Sequence, residues 1–164
     1  MFEVTKIEGD KTAFYEMLNK QLDHLLEGEP DWLANLSNAA SLLYMQLENI
    51  NWSGFYLWRE EQLILGPFMG KPACVRIPLG RGVCGTTAEK RETMVVQDVH
   101  AFPGHIACDA ASQSEIVVPI VAGDRLIGVL DIDAPVKERF DDADRQGLET
   151  FVAILNKHID WSKL

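Results

Sequence analysis

The chain is short of positive charge, of cysteine pairs and of long apolar runs, and each shortage removes a class of function. Its 164 residues carry 15 Lys and Arg against 25 Asp and Glu, a net charge of −10. Binding to phosphate backbones or anionic membranes needs clustered cations, so neither nucleic acid nor a membrane surface is an expected partner. No apolar run approaches the length of a membrane span. The first ten residues, MFEVTKIEGD, lack the basic and apolar regions of a secretory signal, which predicts a cytoplasmic protein. Neither GxGxxG nor a P-loop is present, so the common nucleotide folds lose support. No repeat or Pro/Gly/Ser linker divides the chain, and its length suits one domain spanning 1–164.

Helical periodicity occupies both ends. Phe14, Leu18, Leu22 and Leu25 form one stripe, and Leu33, Leu36, Ala40, Leu43 and Leu47 a second. FDDAD places acids at a helix start, followed by Leu148, Phe151, Val152, Leu155 and Ile159 on one face. Between these ends the period falls to two. NWSGFYLWRE, QLILGPF, residues 75–78 and ETMVVQDV read as strands. SEIVVPIVAGDRLIGVLDIDA reads as a hairpin turning at Gly123-Asp124. VCGTTAEKR reads as a short helix and residues 100–113 as a long loop. The expected class is α+β: a central, mainly antiparallel sheet packed with N- and C-terminal helices.

Asp131 and Asp133 stand two apart on one strand and so share a face. A two-residue hairpin loop would set Ile116 opposite Asp131. A three-residue loop would set Glu115 opposite Asp133 and Val117 opposite Asp131, with Ile116, Val118 and Ile120 on a wholly apolar face. A one-residue slip exchanges the faces, so the apolar pattern selects the three-residue loop. Three acids then converge beside Val117, Ile127 and Val129. Like charges opposed across a sheet are destabilising, which argues against a merely solvated face. Such a cluster suits a ligand with an ammonium group or a metal, the metal less well because nothing here resembles a Ca2+ loop, and one crowded carboxyl can remain protonated as a donor. On NWSGFYLWRE, Trp52, Gly54, Tyr56 and Trp58 share one side, with Gly54 leaving space between the rings. That side suits a small apolar group such as a thioether, although aromatic core packing gives the same pattern.

The three cysteines are Cys74, Cys84 and Cys108. An odd number cannot pair completely within one chain. A closed zinc site wants four Cys or His ligands with a close pair; here only His105 and Cys108 lie three apart, with His100 five residues earlier. Cys-His nucleophilic hydrolysis has no legible orienting partner. Inert core thiols are a second reading, which Cys84, opening a helix among small residues, fits best and Cys108, in a polar loop, fits worst. Thiol redox chemistry, with one thiolate attacking and a second resolving, fits three thiols near acids and aromatics best.

NWSGFYL, GPFMGKPACVRIPLGRGVCGTTAEKRET, HIACDAASQSEIVVPI and GVLDIDAP together resemble the free methionine-(R)-sulfoxide reductases, stand-alone enzymes of the GAF-domain fold. The resemblance covers essentially the whole chain, including the order and spacing of the three cysteines. It implies a single GAF domain and reduction of free, not peptide-bound, methionine-(R)-sulfoxide. It implies Cys108 as nucleophile, Cys74 as resolving thiol and Cys84 as an alternate or exchange thiol. Glu115, Asp131 and Asp133 become the acidic wall of the pocket, with Glu115 polarising the sulfoxide, and Trp52 and Tyr56 its aromatic side. No bound metal or organic cofactor is implied. Thioredoxin, supplied by NADPH and thioredoxin reductase, is the implied external reductant. A homodimer through the terminal helices is compatible with the pattern. Two rival readings are a non-enzymatic GAF sensor that binds a small ligand, and a peroxide-responsive thiol protein.

Overall fold

Burying the apolar stripes of the terminal helices requires a surface to cover, and the central strands supply it. The structure, a computed structural model, describes residues 5–105 and 109–164. In chain order the elements are α1 (Lys11–Leu26), α2 (Trp32–Gln46), β1 (Trp52–Arg59), β2 (Gln62–Gly70), β3 (Arg76–Ile77), α3 (Gly82–Lys90), β4 (Met94–Val96), β5 (Ser114–Ala122), β6 (Arg125–Ala134) and α4 (Asp142–His158). The strands form one six-stranded sheet in the order β3-β2-β1-β6-β5-β4, with every pairing antiparallel.

Helix starts are set by aspartates. Asp10 accepts from the Ala13 N–H and Asp31 from the Ala34 N–H, both at 2.8 Å. Asp141 and Asp144 form a reciprocal capping box at α4. Each side chain satisfies N–H groups that the first turn leaves without a helical partner. Gly147 brings α1 against α4: a Cβ there would lie 2.1 Å from Cγ of Tyr15, so only glycine admits the ring. Tyr15 Oη then donates to Asp144 at 2.6 Å, and Lys11 Nζ donates to the same buried carboxylate at 2.6 Å.

The sheet separates two apolar layers. On one face α1, α2 and α4 cover Phe55, Leu57, Ile116, Val118, Ile120, Leu130 and Ile132. On the other, Trp52, Tyr56, Val117, Val129, Val83 and Cys84 pack together under α3. The predicted stripe on α4 is buried as read, as are Leu36, Ala40, Leu43 and Leu47 of the α2 stripe, but the reading of α1 shifts by a residue at its ends. Tyr15 and Leu26 join Leu18 and Leu22 in the core while Phe14 and Leu25 are half-buried, and Leu33 is 52% exposed at the start of α2. The strand expected in ETMVVQDV is confined to Met94–Val96. The predicted loop begins with a single 3-10 turn at Val99–Ala101.

The hairpin combines both alternatives weighed from sequence. Its loop has two residues, since Ala122 pairs with Arg125 and Val121 with Leu126, and Gly123 takes a φ of 61°. The three-residue loop is therefore incorrect. A bulge then leaves Ile127 unpaired, so that Ile120 meets Gly128 and Glu115 meets Asp133. The extra residue sits in the strand and not in the turn, and the register at the far end is the one the apolar pattern demanded. The bulge also turns Ile127 into the helix-covered core and Leu126 toward the opposite layer, reversing the expected face of Ile127.

Candidate active site

Two rows of residues cross the sheet beneath α3. One runs Val96, Glu115, Asp133, Trp52, Gly70; the next runs Met94, Val117, Asp131, Gly54, Phe68. Strand alternation points both rows to the same side, so three carboxyls and an indole meet there. The expected space at Gly54 is not open. A Cβ at Gly54 would lie 2.3 Å from Cβ of Phe68, and the Phe68 ring stacks on Trp52 at 5.2 Å between centroids. The glycine admits Phe68, which thickens the aromatic wall. Trp52 and Tyr56 also stack, 5.9 Å apart and 22° from parallel.

Hydrogen bonds fix this wall to the segment carrying Cys74. Trp52 Nε1 donates to the Lys71 carbonyl at 3.1 Å and Tyr56 Oη to the Cys74 carbonyl at 2.9 Å. Cys74 is half-buried and disulfide-bonded. Cys108 lies outside the described residues. Just beyond it, Asp109 accepts from Asn51 Nδ2 at 3.0 Å, and Asn51 also donates to Ser112 Oγ at 3.1 Å. The Ala111 N–H and Asn51 hold the Asp109 carboxyl below its ordinary range.

Cys84, on the first turn of α3, is a free, buried thiol directed at the acids: its Sγ lies 3.9 Å from Glu115 Oε1. The reading of Cys84 as an inert core thiol thus accounts for its burial but not for this neighbour. Glu115 is 7% exposed and Asp131 5%. Burial, then the charge of Asp131, pushes Glu115 well above the usual carboxylate range, and the same causes act on Asp133. Asp131 rises through burial, opposed by hydrogen bonds from Glu115, Asp133 and Cys84. Burial and then Asp131 push the Cys84 thiol well up. Three carboxyls this close cannot all ionise; the site favours protonated Glu115 and Asp133 around a charged Asp131.

Trp52, Tyr56, Cys84, Glu115, Asp131 and Asp133 line one cavity of about 40 Å³, room for a group the size of a water or an ammonium. Among the described residues, these members of the expected site are therefore brought together. Lys71, Arg81, His105 and Asp109 line it too. Periodicity carries no sign of these four, which come from turns and loops. Cys84, Glu115 and Asp131 also place one sulfur and two oxygens within 4.8 Å of one another.

Residues 22–159 match the GAF domain family. The chain is 55% identical to the free methionine-R-sulfoxide reductase of Escherichia coli, covering 90% of each. It superposes on the free methionine-R-sulfoxide reductase of Neisseria meningitidis, solved in complex with its substrate, with a TM-score of 0.94 at 43% identity over 99% of this chain and 98% of that one. The fRMsr of Staphylococcus aureus, solved as a complex with substrate, gives a TM-score of 0.86 at 54% identity over 94% and 99%. The chain belongs to the GAF domain family and, within it, to the free methionine-R-sulfoxide reductases.

Proposed function

We propose that this chain reduces free L-methionine-(R)-sulfoxide to methionine by cysteine thiol chemistry. The observation that carries the mechanism is the buried trio of Glu115, Asp131 and Asp133 facing Cys84 and the Trp52–Tyr56 wall. The substrate's methyl group rests on the aromatic wall. Protonated Glu115 donates a hydrogen bond to the sulfoxide oxygen, which makes sulfur more electrophilic. Ionised Asp131 offers the negative charge that the amino acid's ammonium needs. A residue inside a polypeptide lacks that ammonium, which accounts for selection of the free amino acid.

The Cys108 thiolate attacks the sulfoxide sulfur. Oxygen passes to the cysteine and takes the Glu115 proton, methionine leaves, and a sulfenic acid remains on Cys108. The Cys74 thiol displaces that oxygen as water and forms a disulfide with Cys108. The disulfide-bonded state of Cys74, with Cys84 free, supports this pairing. An external dithiol of the thioredoxin type, recharged through NADPH and thioredoxin reductase, returns both thiols. Cys84 is a candidate for exchange with the pair, although its burial and raised thiol favour a role beside the substrate over one as attacking thiolate.

The test is thioredoxin-coupled NADPH consumption with free L-methionine-(R)-sulfoxide, the (S) form and a peptide-bound substrate. Turnover of the free (R) form alone, abolished by Cys108→Ser, is expected. Binding without turnover in folded, reduced protein would instead support a ligand sensor. Cysteine oxidation by peroxide with no preference between sulfoxide enantiomers would support a general thiol sensor.

A further inference from the structure

The trio of acids solves one problem for the substrate and creates another for the protein without it. Three elements deliver the ligand set: Cys84 from α3, Glu115 from β5 and Asp131 from β6. Their sulfur and two oxygens lie within 4.8 Å of one another, with Cys84 Sγ 3.9 Å from Glu115 Oε1. Tetrahedral zinc, with Zn–S of about 2.3 Å and Zn–O of about 2.0–2.2 Å, needs such atoms about 3.3–3.7 Å apart. Small side-chain rotations close that difference. A second observation points to a cation: apart from the acidic protons of the cluster itself, Oδ1 of Asp131, in a side chain 95% removed from solvent, has no hydrogen-bond donor among the described residues, and neither has Oδ1 of Asp133. A buried carboxylate oxygen without a partner is costly, and in the interior such oxygens are ordinarily paired or on a metal.

We propose that Cys84, Glu115 and Asp131 form a binding site for a thiophilic divalent cation of the Zn2+ class, and that its occupancy excludes the substrate. Zinc displaces the protons of Cys84 and Glu115 to solvent on binding; one thiolate and two carboxylates then set three negative charges against its two and leave its fourth position to water, with Asp133 beside the set. The thiolate selects zinc over Mg2+ and Ca2+, which prefer an all-oxygen shell. The cation takes no part in the reduction; it competes for the same carboxyls. The site itself stands on the geometry alone, whereas exclusion of methionine sulfoxide rests on the proposed function.

The experiment uses the full chain with Cys74→Ser and Cys108→Ser, so that Cys84 is the one remaining thiol. Calorimetric titration with ZnCl2 is expected to show one site, with Mg2+ giving no heat. Adding Cys84→Ser weakens zinc at least about tenfold, as does Asp131→Asn, which preserves shape if the serine variant folds poorly. Co2+ in place of zinc gives a thiolate-to-metal absorption band that Cys84→Ser removes. Free methionine-(R)-sulfoxide displaces the metal. Equal zinc affinity with and without Cys84, or no cobalt band, overturns the metal site. Titration of the sulfoxide into the metal-free chain separates the two readings. Sulfoxide that binds while zinc does not sinks the cation site alone. Zinc that binds Cys84 but is untouched by saturating sulfoxide overturns the claim of exclusion.

Discussion

Glu115 shows how a residue can serve chemistry against stability. Its carboxyl is raised above the unfolded value, so the folded protein holds a proton there that the unfolded chain releases. Folding stability from Glu115 and Asp133 is therefore full below the unfolded values near about pH 4 and falls as pH rises toward the raised ones. Glu115→Gln is expected to flatten that fall, giving a higher Tm than the parent at pH 8 and a smaller difference at pH 4. Its kcat/KM drops by about a hundredfold or more, because an amide cannot pass a proton to the departing oxygen. Thermal melts across pH, beside turnover, check both halves. Tyr56→Phe removes the donor to the Cys74 carbonyl, at a cost of about 1 kcal/mol. It should also loosen Cys74, so the Cys108 sulfenic acid lives longer and is trapped in greater yield by a dione reagent. The acids and aromatics were legible in the sequence because strand alternation, with the apolar register of the hairpin, assigns their face. Cys84 was legible as a buried thiol only; its carboxyl neighbour depends on how α3 lies across the sheet, which no local pattern encodes.

At the scale of elements, the hairpin separates what hydrophobic patterning determines from what it leaves open. The pattern of Ile116, Val118 and Ile120 against Leu130 and Ile132 determined the register at the acids. It said nothing of how the chain absorbs the odd residue, and the answer was a bulge at Ile127 instead of a longer turn. Deleting Ile127 should leave Val121 opposite Leu126 and Ile120 opposite Gly128, an unbroken ladder with the acids unmoved. The folded variant is expected to keep its kcat and KM while losing about 1–3 kcal/mol with the buried side chain, as measured by denaturant titration. Lost activity in the folded variant would mean that the bulge itself aims the site. The α1 stripe kept Leu18 and Leu22 but shifted at its ends for a related reason: Gly147 on a distant helix admits Tyr15 to the core, and Phe14 is left half-buried.

For the molecule as a whole, the helix-covered layer carries an electrostatic knot that the pocket does not share. Asp144 is buried, accepts from Tyr15, Lys11 and the Asp141 N–H, and has Arg139 Nη1 at 3.5 Å. Asp144→Ala would take the buried carboxylate from Tyr15, Lys11 and Arg139, leaving Lys11 on Asp141 and Arg139 on the Glu48 carbonyl, and would break the capping box. The expected loss is about 3–5 kcal/mol, with KM unchanged in the fraction that remains folded, read from denaturant curves and steady-state rates. The packing of terminal helices on a central sheet was legible because the period of apolar residues changes cleanly from 3.6 to 2 and back. The polar lining from Lys71, Arg81, His105 and Asp109 was not, because turn and loop residues carry no period to read.

The chain has four tryptophans, and the cavity is lined by Trp52. Its indole sits between the Tyr56 and Phe68 rings with its N–H tied to the Lys71 carbonyl. A version with Trp32, Trp58 and Trp161 replaced by phenylalanine would therefore emit from the reaction chamber alone. Arrival of sulfoxide, departure of methionine and entry of a metal ion could then be followed as changes in colour and brightness within a single turnover, with no dye attached.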